Sequence, residues 1–336
     1  MHVTTAAFRD DAVTVRVPAS SGNVGPGFDA LGLALGLYDE IEVCLAPSGL
    51  TVEVTGEGAH TVARDESNLV VRALRAALDH LPGGQPPGLR VRCTNRIPHG
   101  RGLGSSSAAV VAGMAAGRAL CRQGEEVFDN DAMLTLATEL EGHPDNAAAS
   151  LLGGLTVAWT DGAGAHAVRL EPLPLTPVVF VPDEPLSTEA ARGLLPPTVP
   201  HADASANAGR AALLVAALTG AAPRLSGADL GLLLTATEDR LHQSYRAPAM
   251  PRSVALVTAL RDRGVPAVVS GAGPTVLAFA QVSGTDALVA AAPADFDARV
   301  LTLDREGVRT MVGRTGNPTW HEDVGRGGET GTGRFC

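Results

Sequence analysis

The chain has 336 residues, 45% of them hydrophobic, which is long enough for two domains with a large buried core and too apolar for a mostly unstructured chain. A formal net charge of −10 argues against nucleic acid and anionic membranes as partners. Lysine is absent altogether, which excludes the Walker P-loop enzymes, the protein kinases and the Schiff-base lysine enzymes.

The first residues carry no basic stretch leading into an apolar core, so no secretory signal is expected. Four scattered cysteines (Cys44, Cys93, Cys121 and Cys336), with no Cys-x-x-Cys pair, fit a reduced cytoplasm. Alternation at Val13, Val15 and Val17 predicts a first strand, and Ile41, Val43 and Leu45 a second, with a third at Val52 and Val54. Ser67-Asn68 caps a helix whose apolar positions Leu69, Val70, Ala73, Leu74, Ala77 and Leu78 keep helical spacing. A strand at 89–93 then feeds the loop 95–104. The alanine-rich run from Ala108 is broken by Gly113 and Gly117 and stops at Arg118, so it reads as a soluble helix and not a membrane span.

A second helix covers about 129–141, and His143-Pro144-Asp145-Asn146 reads as its closing turn. Strands follow near 152–159, 166–170 and 176–181. Proline-rich stretches at 172–177 and 196–200 place a domain boundary at about 165–175, giving domains 1–168 and 169–315. The second half alternates helices (203–218, 227–240, 251–263) with strands (265–270, 274–280, 298–303), an α+β arrangement. From Gly316 the sequence is glycine-rich and polar, and 316–336 is expected to be a disordered tail.

Three glycine-rich segments carry the chemistry. Residues 98–108, Pro-His-Gly-Arg-Gly-Leu-Gly-Ser-Ser-Ser-Ala, open the alanine-rich helix. Small residues at a helix start line up backbone N–H groups with the positive end of the helix dipole, which makes an anion site suited to a nucleotide phosphate. A serine-capped first turn is the plain alternative. Residues 18–32, Pro-Ala-Ser-Ser-Gly-Asn-Val-Gly-Pro-Gly-Phe-Asp-Ala-Leu-Gly, set an amide and a carboxylate in a tight loop that, taken alone, reads as a strand connection with Asx turns. Ser270-Gly271-Ala272-Gly273-Pro274-Thr275, between two apolar runs, reads equally as a turn or as part of a nucleotide site.

In order and spacing, these three segments resemble the motifs of the GHMP small-molecule kinases, over roughly residues 12–305, and within that family the homoserine kinase branch. The resemblance implies an α+β fold of two domains, an N-terminal ribosomal-S5-like domain and a C-terminal ferredoxin-like one. It implies ATP and Mg²⁺ as cofactors, L-homoserine as substrate, and O-phospho-L-homoserine for threonine biosynthesis as product. A homodimer is left open. Carried over residue by residue, Pro98, His99, Gly100, Arg101, Gly102, Leu103, Gly104, Ser105, Ser106, Ser107 and Ala108 fall on the loop that wraps ATP. Asn23, Asp29, Asn146, Arg192 and Arg246 fall on acceptor positions, Asp29 suiting the amino group and Arg246 the carboxylate. Glu139, with Ser106 first and Ser105 second, falls on the metal position, Glu141 being close enough to be the true match. Asp29, Asp145 and Asn146 are the candidate catalytic residues. Asp145 as general base and direct proton transfer to the phosphate both remain open. Gly22 stands where alanine is usual in the family, and Ser244 where proline is common. A kinase for another small hydroxylated acid, or a non-catalytic nucleotide binder, are the rival readings.

Overall fold

The structure, a computed structural model, describes residues 7–220 and 229–313. Its larger sheet contains β1 (Ala12–Ser21), β2 (Leu31–Leu45), β3 (Gly49–Gly56), β4 (Gly88–Asn95), β5 (Leu155–Asp161) and β6 (Gly164–Leu170). The smaller sheet contains β7 (Thr176–Pro182), β8 (Ala267–Val269), β9 (Val276–Ala280) and β10 (Phe296–Val300), and a last strand, β11 (Arg309–Gly313), returns to the larger one. The helices are α1 (Leu69–Asp79), α2 (Ser105–Leu120), α3 (Gly124–Val127), α4 (Asn130–Glu141), α5 (Asp145–Leu152), α6 (Thr188–Arg192), α7 (His201–Thr219), α8 (Leu230–Ala236), α9 (Gln243–Arg246), α10 (Pro251–Asp262) and α11 (Thr285–Ala290).

The larger sheet runs β11-β1-β2-β4-β3, with β5 and β6 attached through β2. The fifteen residues of β2 let one strand serve three neighbours: β1 along most of its length, β4 at Glu40–Leu45 and β5 at Leu31–Leu33. The alternating valines of β1 are fully buried against α2 and α5. Asn68 caps α1, its side-chain oxygen accepting the N–H of Val70 at 3.0 Å and of Val71 at 3.3 Å. Gly113 and Gly117 let α1 press against α2, since a Cβ at Gly113 would stand 2.3 Å from the carbonyl oxygen of Val70. The apolar α2 is thus buried on nearly every side.

The smaller sheet runs β10-β7-β9-β8, the split βαβ order of a ferredoxin-like unit. Both of its faces are covered, as its continuous apolar runs require. Val179, Val181, Leu277 and Phe279 join the main core, while Val178, Phe180, Val276 and Ala278 pack on Leu256, Leu260 and Leu288 of α10 and α11.

Three expectations need correction. His143-Pro144-Asp145-Asn146 is not only a closing turn: Gly142, in the left-handed region at φ 85°, already ends α4, and Asp145 opens the buried α5. The helix expected over 227–240 is the shorter α8, because the Asp239 side chain takes the N–H groups of Leu241, His242 and Gln243 and starts a new turn. The linear division at 168/169 does not follow the sheets, since β11 pairs antiparallel with β1 from Ala12↔Gly313 to Arg16↔Arg309. The expected tail, 316–336, lies outside the described residues.

Candidate active site

Gly100, Gly102 and Gly104 adopt φ of 63°, 74° and 69°, a conformation open to glycine and costly for other residues. Gly102 and Gly104 are also pinned by space. A Cβ on Gly102 would lie 2.3 Å from the Ser270 carbonyl oxygen, and one on Gly104 2.1 Å from the Ser20 hydroxyl. The loop is thereby locked to the other two glycine-rich segments. Ser20 N–H donates to Leu103 O, Thr275 N–H to Arg101 O, Gly271 N–H to Gly22 O, and Ser270 Oγ to Gly102 O.

Gly104 occupies the N-cap of α2, and no side chain caps the helix. The serine-capped first turn is therefore not what forms; the first N–H groups of α2 are left for an anion. Ser106 and Ser107 instead donate their hydroxyls to one oxygen of Glu141, at 2.7 and 2.8 Å. Glu139 is exposed and has no part in this cluster. Residues two apart on a helix point about 200° away from each other, so only one of the two glutamates can face the serines. Of the two glutamates weighed for the metal position, Glu141 is the one that faces the serines. A carboxylate with two hydroxyls is a hard, all-oxygen donor set that fits Mg²⁺, which binds through few protein groups and keeps phosphates and waters for the rest.

A cavity of about 200 Å³ opens over this loop, lined by Gly100, Gly102, Gly104 and Ser105–Ser107 on one side. Asn23, His143, Asn146, Arg192 and Arg246 line it too, Asn146 next to Gly104, together with Leu186–Thr188, Gly271 and Ala272. Asn23 and Asp29 both hold left-handed backbone (φ 51° and 53°), and the Asn23 side-chain oxygen accepts the Asp29 N–H at 2.8 Å. This bond spans six residues, so it closes the loop across its width and is not an Asx turn, and the Asn23 amide nitrogen remains for a ligand. Asn146 accepts from Ser20 Oγ at 3.1 Å, which likewise leaves its NH₂ group for the cavity.

Asp145 does not line the cavity. It is fully buried, one oxygen 2.8 Å from His143 Nδ1 and the other accepting the Asn23 N–H at 2.9 Å. Burial works against charging His143, but the hydrogen bond and charge of Asp145 outweigh it and raise the histidine's pKa. Asp29 is not among the residues lining the cavity; half-buried beside it, it is held by the lining residue Arg192 through two bonds of 2.5 and 3.1 Å. Burial disfavours the Arg192 charge, and the bonded Asp29 more than restores it. Arg246 is fully buried, and burial, with Arg192 nearby, lowers its pKa. Both guanidinium groups approach the Phe28 ring, at 5.8 Å for Arg192 and 5.4 Å for Arg246.

Several loop residues face elsewhere. Leu103 and Ala108 are core residues, and Pro98 is buried. Arg101 turns outward and ties the loop to β7, donating to the carbonyl oxygens of Pro182 and Asp183. His99 lines a second cavity of about 210 Å³, which shares Ser105 and Ser106 with the first. Val17, Ile41, Val54, Val62, Leu69 and Val70 give that cavity apolar walls; Asp39, Asn68 and Asn95 supply its polar groups. Burial pushes Asp39 up to about 6, against the pull of the Ile97 and Arg96 N–H groups it accepts. This second cavity was not foreseen, and neither was the position of His143, although His143 lies inside a quoted motif.

The model for the GHMP kinases N terminal domain matches residues 68–154, and that for the GHMP kinases C terminal domain matches residues 215–296. Homoserine kinase of Streptomyces coelicolor is 58% identical over 93% of this chain and 99% of its own length. The chain belongs to the homoserine kinases of the GHMP family. A homoserine kinase of the same family from Clavibacter michiganensis is 50% identical over 89% of this chain and 94% of its own. Among solved structures, homoserine kinase from Cytophaga hutchinsonii superposes with a TM-score of 0.71 at 26% identity, covering 90% of this chain and 98% of its own. Mevalonate diphosphate decarboxylase of Enterococcus faecalis shares the fold alone, at 14% identity and a TM-score of 0.62 over 90% of this chain and 99% of its own. No helix among the described residues is long and apolar enough to cross a membrane.

Proposed function

We propose that this homoserine kinase family member transfers the γ-phosphoryl group of ATP to the side-chain hydroxyl of L-homoserine, giving O-phospho-L-homoserine and ADP. The observation that carries the reading is a single cavity whose two walls have opposite chemistry: backbone N–H groups and hydroxyls at Gly100–Ser107, and Asn23, His143, Asn146, Arg192 and Arg246 facing them.

The adenine ring is assigned to the second cavity, whose apolar walls suit a flat heterocycle, and the phosphates to the shared edge at Ser105 and Ser106. Glu141 and Ser106 are the residues that would hold Mg²⁺ there. When bound, Mg²⁺ neutralises phosphate charge. Phosphoryl transfer asks a protein for positioning and electrostatics more than covalent chemistry, and the acceptor wall supplies both. Arg246 takes the substrate carboxylate, Asp29 its ammonium group, and the free amides of Asn23 and Asn146 reach the transferring group. Asp145 is fully buried and off the cavity, so we assign it to holding Asn23 and His143 in place. The hydroxyl proton then passes to the phosphoryl oxygen. The small polar substrate accords with a cytoplasmic location.

The test is ADP release with ATP, Mg²⁺ and a panel of acceptors. L-Homoserine should give the highest kcat/KM; a higher value with threonine, shikimate or a mevalonate-type acid would overturn the assignment.

A further inference from the structure

His242 was singled out by neither the sequence motifs nor the cavity lining, yet it joins the two. Its ring is fully buried between the loop that follows β1 and helix α9. Nε2 lies 2.8 Å from the Gly25 carbonyl oxygen, Nδ1 lies 3.2 Å from Nη1 of Arg246, and the ring stacks on Phe28 with centroids 5.5 Å apart. A carbonyl only accepts and a guanidinium only donates, so Nε2 carries the hydrogen and Nδ1 is bare. The neighbours thus demand the neutral ring. Burial favours the same state and lowers the pKa, against the pull of the Asp239 carboxylate 3.7 Å from Nε2.

The consequence falls on Arg246. Its Nη1 is taken by His242 and, at 3.4 Å, by the Gly271 carbonyl oxygen. Its Nε and Nη2 are buried and have no hydrogen-bond partner among the described residues. Those two nitrogens form one edge of the guanidinium, the edge that can hold a carboxylate through two parallel bonds. A planar fork delivers that geometry only if its rotation is fixed.

We propose that His242 is a positioning residue for the acceptor: as a neutral acceptor on Nη1 it turns the Nε/Nη2 edge of Arg246 into the cavity, where that edge clamps the substrate carboxylate. The inference rests on the homoserine reading above, since it names how that substrate's carboxylate is held.

Two substitutions separate the bonds of this ring. His242→Asn puts a carbonyl oxygen near the place of Nδ1 and keeps the acceptor for Arg246. His242→Gln puts an N–H donor near the place of Nε2 and keeps the bond to Gly25 but not that to Arg246. The loss of one hydrogen bond to a charged group predicts that H242Q raises the KM for L-homoserine by about tenfold. Its kcat and its KM for ATP should stay within about twofold of the parent. H242N should return the homoserine KM to within about threefold. With 3-amino-1-propanol, which lacks the carboxylate, H242Q should match the parent. In an R246K background, where no fork remains to be oriented, H242Q should add nothing, a double-mutant readout that does not depend on absolute stability.

Equal damage from H242N and H242Q, equal loss with carboxylate-bearing and carboxylate-free acceptors, or full additivity with R246K would each overturn the proposal. The parent enzyme tests the underlying reading separately. If it prefers another carboxylate-bearing acceptor, homoserine is wrong and the contrast between H242N and H242Q on that acceptor still decides the role of His242; if it prefers an acceptor with no carboxylate, both fall.

Discussion

The two walls of the cavity are built by different means. The donor wall, Gly100 to Ser107, is made of backbone: left-handed glycines, an uncapped helix start and hydroxyls, two of which donate to the Glu141 carboxylate. The acceptor wall is made of side chains that each need a second group to hold them. Asp145 holds Asn23 and His143, Asp29 holds Arg192, and Arg246 is flanked by His242. A backbone wall needs no lysine, so a lysine-free chain can still cradle phosphates. It is also intolerant of a Cβ at Gly102 and Gly104, whereas the acceptor wall is intolerant of losing a charge.

Removing charges is therefore the most severe way to break the contrast. Arg246→Ala should lower kcat/KM for L-homoserine by about a thousandfold while leaving the KM for ATP within about threefold, because truncating a buried charge clamp removes several kcal/mol from one ligand only. Steady-state kinetics with each substrate varied checks it, and equal losses for both substrates would erase the division between the walls. Glu141→Ala should cost about 100-fold in kcat and shift the Mg²⁺ titration to higher concentration, while the exposed Glu139→Ala should stay within about twofold.

Asp39 sharpens the comparison in the second cavity. Its folded pKa of about 6 lies above the ordinary value of 3.8, so the folded state holds a proton there that the unfolded state releases. Stability is unaffected below pH 4, is lost as pH rises to about 6, and the deficit is constant above. The full shift corresponds to about 3 kcal/mol as an upper figure. Asp39→Asn keeps an acceptor for the Arg96 and Ile97 N–H groups without the charge. Thermal melts should therefore show the variant gaining on the parent between pH 4 and 6.5 by a few degrees; parallel pH profiles would refute this.

How far the sequence spoke follows from how local each feature is. Asn68 as a cap and the spacing of α1 are set within a dozen residues, and both form. The phosphate loop is local too, since its glycines and the helix behind it are contiguous. β11 was not legible because Arg309–Gly313 carries little apolar pattern, and only its pairing with β1 makes it a strand. The short, alanine-rich α5 was hidden because a Gly-His-Pro run marks a turn whether or not a helix follows. Glu141 over Glu139 depends on where α4 is rotated relative to the serines, which tertiary packing decides. The second cavity draws on β1, β2, β3, β4 and α1 at once, so no single stretch of sequence announces it.

On the donor wall, Gly104→Ala should raise the KM for ATP by about tenfold through the cost of a left-handed alanine and the collision with Ser20, and because Ser20 Oγ donates to Asn146 the homoserine KM should rise by a smaller factor. Gly22 is where the walls meet, and there the effect should be smallest. A Cβ on it would stand 2.3 Å from a carboxylate oxygen of Asp145 and 2.5 Å from the amide nitrogen of Asn146. These are side-chain ends and not backbone, and Gly22 carries no positive φ, so the added methyl can be met if the two side chains draw back by about 1 Å. Gly22→Ala should lower kcat by no more than about threefold, the size of a sub-kcal/mol rearrangement. It should leave the ATP KM unchanged, because nothing on the donor wall moves. A loss of a hundredfold would mean that Asp145 and Asn146 have no second arrangement, and that the acceptor wall is as rigid as the backbone it faces.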